Sequence, residues 1–273
     1  SVRSRSKGRG DSDARTMAAK NRAMSGEARH ARKVTRLRRA VERAGEQVAD
    51  FDLRKERGRT LFIDYQPAPK PYLMAVDRER LEVAGQTLLR DVRAVVARDS
   101  RIHLAGHNGA GKTTLLRALL DSATTARARI LHMPQTLDEA AGRAALDRLR
   151  ALDRSSRGRL LQLAAALGLD PERLHSGAAA GDYRPSPGEV RKLILAEGLA
   201  AGAWAVVLDE PTNHLDLPSI ERLEDALRCY PGALVLVSHD ARLAGALTSE
   251  VWTLADNRLT VSAAEPLSDR SAR

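Results

Sequence analysis

Arg101-Ile102-His103-Leu104-Ala105-Gly106-His107-Asn108-Gly109-Ala110-Gly111-Lys112-Thr113-Thr114-Leu115-Leu116-Arg117-Ala118-Leu119-Leu120 decides the fold. A short apolar run ends at Gly106, a glycine-rich loop follows, and from Thr113 the apolar residues recur at helical spacing. Strand, glycine loop and helix form the setting in which a phosphate-binding loop works. The glycines let main-chain N–H groups turn inward, and the helix N-terminus adds its partial positive charge. Lys112 then reaches the β- and γ-phosphates of a nucleotide, and the Thr113 hydroxyl is placed to ligate Mg²⁺. The segment therefore predicts an α/β fold that holds nucleotide phosphates at the end of a strand.

A second apolar strand, Ala205-Val206-Val207-Leu208, leads into Asp209-Glu210-Pro211-Thr212-Asn213-His214-Leu215-Asp216. Parallel α/β sheets keep their ligands at such C-terminal strand ends. Asp209 fits a magnesium carboxylate, and Glu210, one residue on, is placed to take a proton from an attacking water. A third strand, Ala233-Leu234-Val235-Leu236-Val237, ends at Ser238-His239-Asp240. Beside two strand ends that carry motifs, His239 reads as a γ-phosphate contact. The three strand ends together point to ATP hydrolysis with Mg²⁺.

At 273 residues and 43% hydrophobic, the chain can bury one large domain and carry an extension. The single Cys229 excludes a disulfide framework and a multi-cysteine zinc site, and fits a reducing compartment. No apolar run approaches the ~20 residues of a membrane span. Ser1-Val2-Arg3-Ser4-Arg5 lacks a signal-peptide core, so the expected location is cytoplasmic. Charge divides the chain sharply: residues 1–70 hold 19 Lys and Arg against 9 Asp and Glu, whereas residues 71–273 hold 26 of each. The formal net charge of +10 thus belongs to the N-terminal quarter. Within it Val34, Leu37, Val41, Ala44, Val48 and Phe51 form a narrow helical seam of the coiled-coil kind, with Arg32, Lys33, Arg36, Arg38, Arg39 and Arg43 largely off it. Such a run is either a solvated helix face or an arm that meets a polyanion. Pro67-Ala68-Pro69-Lys70-Pro71 cannot continue a helix and reads as a hinge. The expected division is a basic helical arm over 1–72, a nucleotide-binding domain over 73–265 and a tail over 266–273.

These motifs, in this order, resemble the ATP-binding cassette (ABC) family. The resemblance implies a P-loop NTPase cassette with a helical subdomain, preceded here by the basic arm. It matches residues 106–113 to the Walker A loop, so Gly106, Asn108, Gly109, Gly111, Lys112, Thr113 and Thr114 would bind nucleotide. Gln135, in His132-Met133-Pro134-Gln135, looks like the Q-loop glutamine, which would join Thr113 and Asp209 around Mg²⁺ and assist catalysis. Asp209-Glu210 resembles Walker B with its catalytic glutamate, Leu215-Asp216 the D-loop, and His239 the switch histidine. Thr212-Asn213-His214-Leu215-Asp216 is similar to the ABC-F branch, ribosome-associated ATPases with two cassettes joined by a long helical linker. On that likeness the chain is expected to be the C-terminal half of an actinobacterial-type protein that acts on the ribosome, either as a translation factor or in antibiotic-resistance ribosome protection, with an arm that resembles the second kind more closely. Its arm would reach rRNA or tRNA, and its partner would be a second cassette, either a missing N-terminal half or a second copy of the chain.

Two positions depart from the family pattern. Pro185-Ser186-Pro187-Gly188-Glu189 stands where cassettes carry Leu-Ser-Gly-Gly-Gln or -Glu. It still predicts a helix start, with Ser186 as N-cap, Pro187 in the first position and Glu189 completing a capping box. By resemblance, Ser186 and Gly188 would touch the γ-phosphate held by a facing cassette, with one N–H lost at Pro187. Val83 holds the place of the aromatic residue that cassettes stack on adenine, so looser base discrimination is expected. Two further functions compete with the ribosomal one. One is the ATPase subunit of a transporter, its arm on anionic lipid; the other is a nucleotide-gated binding module with little catalysis.

Overall fold

A computed structural model describes residues 61–62, 64–123, 129–174 and 184–264. The seam from Val34 to Phe51, the basic run around it and the tail after 265 lie outside those residues. The described chain forms eight strands: β1 (Tyr72–Val83), β2 (Gln86–Ala97), β3 (Arg101–Gly106), β4 (Ile130–Met133), β5 (Ala205–Asp209), β6 (Ala233–Val237), β7 (Glu250–Ala255) and β8 (Arg258–Ala263). β1 and β2 form an antiparallel hairpin around Ala84 and Gly85, both at positive φ (51° and 80°), as tight two-residue turns require. The other six make one sheet in the order β4-β5-β6-β3-β7-β8, parallel except for β8.

β5 and β6 are continuous apolar runs because both of their faces are covered. Val206, Leu208, Leu234 and Leu236 pack on the helical side of the sheet. Ala205, Val207, Ala233, Val235 and Val237 pack against the hairpin and the helix after β3. Strand alternation thus divides the core into two layers. The helices are α1 (Lys112–Asp121), α2 (Glu139–Ala151), α3 (Arg154–Ala166), α4 (Pro187–Ala200), α5 (Leu217–Cys229) and α6 (Ala241–Leu247). Leu146, Leu149, Leu160, Leu163 and Leu193 of α2, α3 and α4 are buried together, so these three helices contribute to the core.

Five of the described helices begin on a side-chain cap. Asp138, Asp153, Ser186, Asp216 and Asp240 each accept main-chain N–H groups at the starts of α2 to α6. The capping box read from Ser186 and Glu189 is present, with Ser186 N–H donating to Glu189 Oε2 at 2.8 Å. α1 is different: its N-cap is Gly111, at φ 96°, with no side chain to accept its N–H groups.

The residues before β1 are part of the packing. Pro67 to Pro71 is non-helical, as its prolines dictate, and Ala68 is fully buried with its carbonyl accepting from Arg98. Upstream, the rings of Phe62 and Tyr65 meet Tyr230 edge-on, with centroids 5.7 and 6.0 Å away. Tyr230 lies just past α5 and donates its hydroxyl to Ala203 O at 2.8 Å.

Candidate active site

β6 lies between β3 and β5, and all three are parallel, so the loops after them meet at one edge of the sheet. There a cavity of about 370 Å³ is lined by Asn108, Gly109, Gly111, Lys112, Thr113 and Thr114 after β3, by Asp209 and Glu210 after β5 and by His239 after β6. Gln135, two residues past β4, also lines it. Of the residues singled out in the sequence, ten thus come together around one space. Five do not line it: Val83, Gly106, Ser186, Gly188 and Asp216.

Each of the five has another placement. Gly106 ends β3 at φ 152°, where a Cβ would come within 2.8 Å of Leu254 O, so it lets β7 approach the loop. Val83 is at the end of β1, about half exposed (49%), and Leu88 lines the cavity from β2. Ser186 caps α4, and Gly188 packs that helix start on the loop after Glu210, with a Cβ there 2.7 Å from His214 O. Asp216 caps α5; its bonds to Ser219 hold its carboxyl below the usual range.

The loop after β3 wraps its own lysine. Lys112 Nζ donates to Gly106 O at 2.7 Å and to His107 O at 3.1 Å. Its ammonium is therefore held over the uncapped start of α1, where main-chain donors and the helix dipole favour an anion. On the opposite wall, Asp209 is buried at the end of β5. Burial pushes its carboxyl up, while His132, Lys112 and Arg191 pull in the other direction. A carboxylate in that position is electrostatically short of a cation.

Glu210 carries the strain of the site. It adopts φ 48°, which costs a non-glycine residue about 1–2 kcal/mol. Its N–H donates to Val237 O at 2.9 Å, tying the turn to β6. The carboxylate reaches the end of that strand: His239 N–H donates to Oε2 at 3.4 Å, and His239 Nε2 lies 3.4 Å from Oε1. Oε1 is buried and has no hydrogen-bond partner, so its distance to the imidazole is proximity without alignment. A buried, unsatisfied carboxylate oxygen beside a phosphate loop is ready to accept a proton from a water molecule.

Leu88 and Val237 also line the cavity, and sequence reading singled out neither. It also passed over Arg191 of α4, which is buried behind the cavity and whose Nη2 donates to the main-chain carbonyl of Gln135. The available signal was an arginine set among the buried positions Val190, Leu193 and Leu195.

Comparison with known proteins agrees with this geometry. A family model described as ABC transporter matches residues 89–213. The ribosome protection protein VmlR of Bacillus subtilis is 34% identical over 183 residues, 65% of this chain and 30% of that protein. The ATP-binding protein Uup of Escherichia coli is 34% identical over 182 residues, 63% of this chain and 28% of that protein. Elongation factor 3A of Saccharomyces cerevisiae is 41% identical over 96 residues, 35% of this chain and 9% of that protein. The chain therefore matches less than a third of the length of these relatives. A solved structure titled as the ATP binding subunit of an ABC transporter superposes with a TM-score of 0.55 at 21% identity, covering 70% of this chain and 90% of that one. That likeness establishes the fold, a P-loop cassette.

Proposed function

The chain belongs to the ABC-F branch of the ATP-binding cassette family, and on that premise we propose that it binds and hydrolyses MgATP and acts on the ribosome. One observation carries the catalytic half of this reading: the uncapped start of α1 shares a single cavity with the buried carboxylates Asp209 and Glu210 and with the exposed His239. Main-chain N–H groups of Gly109, Gly111, Lys112 and Thr113, with the Lys112 ammonium, hold the phosphates of ATP. Glu210 Oε1 takes the proton of the attacking water, and His239 fixes the other carboxylate oxygen through its N–H.

The residues present fit magnesium. Thr113, Gln135 and Asp209 offer oxygen donors in one cavity, with Asp209 the one carboxylate among the three, and such a sparse set suits an Mg²⁺ ion shared with substrate phosphates. The ion would neutralise charge developing on the transferred phosphoryl group. A cation beside Asp209 would offset the burial that pushes its carboxyl up.

Ser186, Gly188 and Asp216 lie outside this cavity, which agrees with service to a nucleotide bound by a second cassette. A single set of motifs then supplies half of each of two composite sites, so hydrolysis by the chain alone is slow. The ribosomal half of the proposal rests on the similarity to a ribosome protection protein and on the basic residues 1–70. No helix among the described residues is long and apolar enough to cross a membrane. On this reading the chain works in the cytoplasm, as a translation factor or in antibiotic protection of the ribosome.

Co-sedimentation with ribosomes tests the reading. With ATP and the Glu210→Gln change the chain pellets with ribosomes at low salt and is released as salt rises. Absence from the pellet under those conditions, with binding to anionic vesicles instead, would replace the ribosomal role by a transporter subunit.

A further inference from the structure

Arg191 stands in the second turn of α4, five residues after the capping Ser186, and is only 3% exposed. A guanidinium at that depth is costly unless its donors are satisfied. Nη2 donates to the carbonyl of Gln135, whereas Nη1 is buried without a hydrogen-bond partner. Burial pulls the guanidinium pKa down and the Asp209 carboxylate opposes that shift. Packing alone would favour a leucine among Val190, Leu193 and Leu195.

We propose that Arg191 is a positioning residue for hydrolysis: it fastens the main chain at Gln135 to the helix that starts at Ser186, and so presents Gln135 to the cavity beside Asp209. The inference rests on reading Gln135 and Asp209 as members of the magnesium and phosphate site. The bond makes α4 and the Gln135 loop one unit. A displacement at Ser186 and Gly188, where a facing cassette would press, is thereby passed to Gln135 without crossing the phosphate loop.

Hydrogen–deuterium exchange on the full chain reads this bond without any need for turnover. In R191M, exchange at residues 135–137 rises about tenfold while residues 108–114 keep their rates. R191K keeps a donor that reaches a single carbonyl and restores exchange to within about threefold of the parent. Mant-ATP with Mg²⁺ binds all three proteins within about twofold, because the phosphate loop is untouched; single-turnover hydrolysis falls about tenfold in R191M and recovers in R191K. Unchanged exchange at 135–137 in R191M, or a rise spread over the whole domain, overturns the proposal by leaving Arg191 inert or merely structural. If R191M does not fold, R191Q is judged by the same local-against-global criterion. Failure of the parent to bind mant-ATP overturns the ATPase reading instead, and the exchange result still decides what Arg191 holds.

Discussion

Replacing Glu210 by Gln removes one charge and almost no volume, which isolates the proton-accepting role of a single oxygen. In the structure Oε2 is engaged by His239 N–H at 3.4 Å, while Oε1 is buried and unpartnered. The amide keeps an oxygen to accept from His239 and presents an NH₂ group where the free acceptor was. Loss of a positioned general base costs about 10²- to 10⁴-fold in rate, or about 3–5 kcal/mol in the barrier. ATP binding is set by the loop after β3, so its Kd stays within about threefold. The expected phenotype is a protein that binds MgATP, hydrolyses it at background rate and accumulates as an ATP-dependent dimer. Phosphate release and sedimentation velocity, each with ATP and with ADP, measure both halves. Turnover within threefold of the parent would refute the assignment of Oε1 as base, whatever the dimer does.

Four other outcomes follow from the geometry. Asp209→Asn raises the Tm of the nucleotide-free protein at pH 7 while abolishing hydrolysis. The sign comes from burial: the folded pKa is raised, so the ionised group destabilises once pH passes that value, and the gain shrinks toward acid as both states hold the proton. A lower Tm for this variant at pH 7 refutes it. Gly188→Ala, whose Cβ would meet His214 O at 2.7 Å, lowers stability by about 1–3 kcal/mol in urea titration and slows ATP-dependent dimer formation. Tyr230→Phe leaves the Ala203 carbonyl without its donor and costs about 1–2 kcal/mol, with an unchanged m-value. Since Leu88 rather than an aromatic side chain lines the cavity from the hairpin, GTP competes with mant-ATP within about threefold of ATP; a tenfold preference for ATP would show a base contact that this cavity lacks.

How much of the site the sequence makes legible depends on where the chemistry resides. Lys112, Thr113, Asp209, Glu210 and His239 act through side chains at the ends of apolar strands, so residue type and spacing announce them. The same holds for the α4 start, where serine, proline and glutamate spell a cap that the structure then contains. What stays hidden acts through the main chain or through packing across long intervals. Nothing at Gln135 signals that its carbonyl will be taken by Arg191, 56 residues on. Glu210 is legible as a carboxylate but not as a residue at positive φ, because that turn is imposed by the bond from its N–H to Val237 in the neighbouring strand. Phe62 and Tyr65 read as the end of an arm, yet they pack on Tyr230, at the far end of the helix that Asp216 caps. α5 thus has the proposed partner-facing Asp216 at one end and the aromatic cluster at the other. A rigid helix of 13 residues transmits displacement along its axis more readily than it bends. Tyr65→Ala would loosen the far end alone. If α5 carries motion, this change weakens the stimulation of hydrolysis by ribosomes while basal ATP turnover holds within about twofold; equal loss of both would mean that the cluster serves stability only.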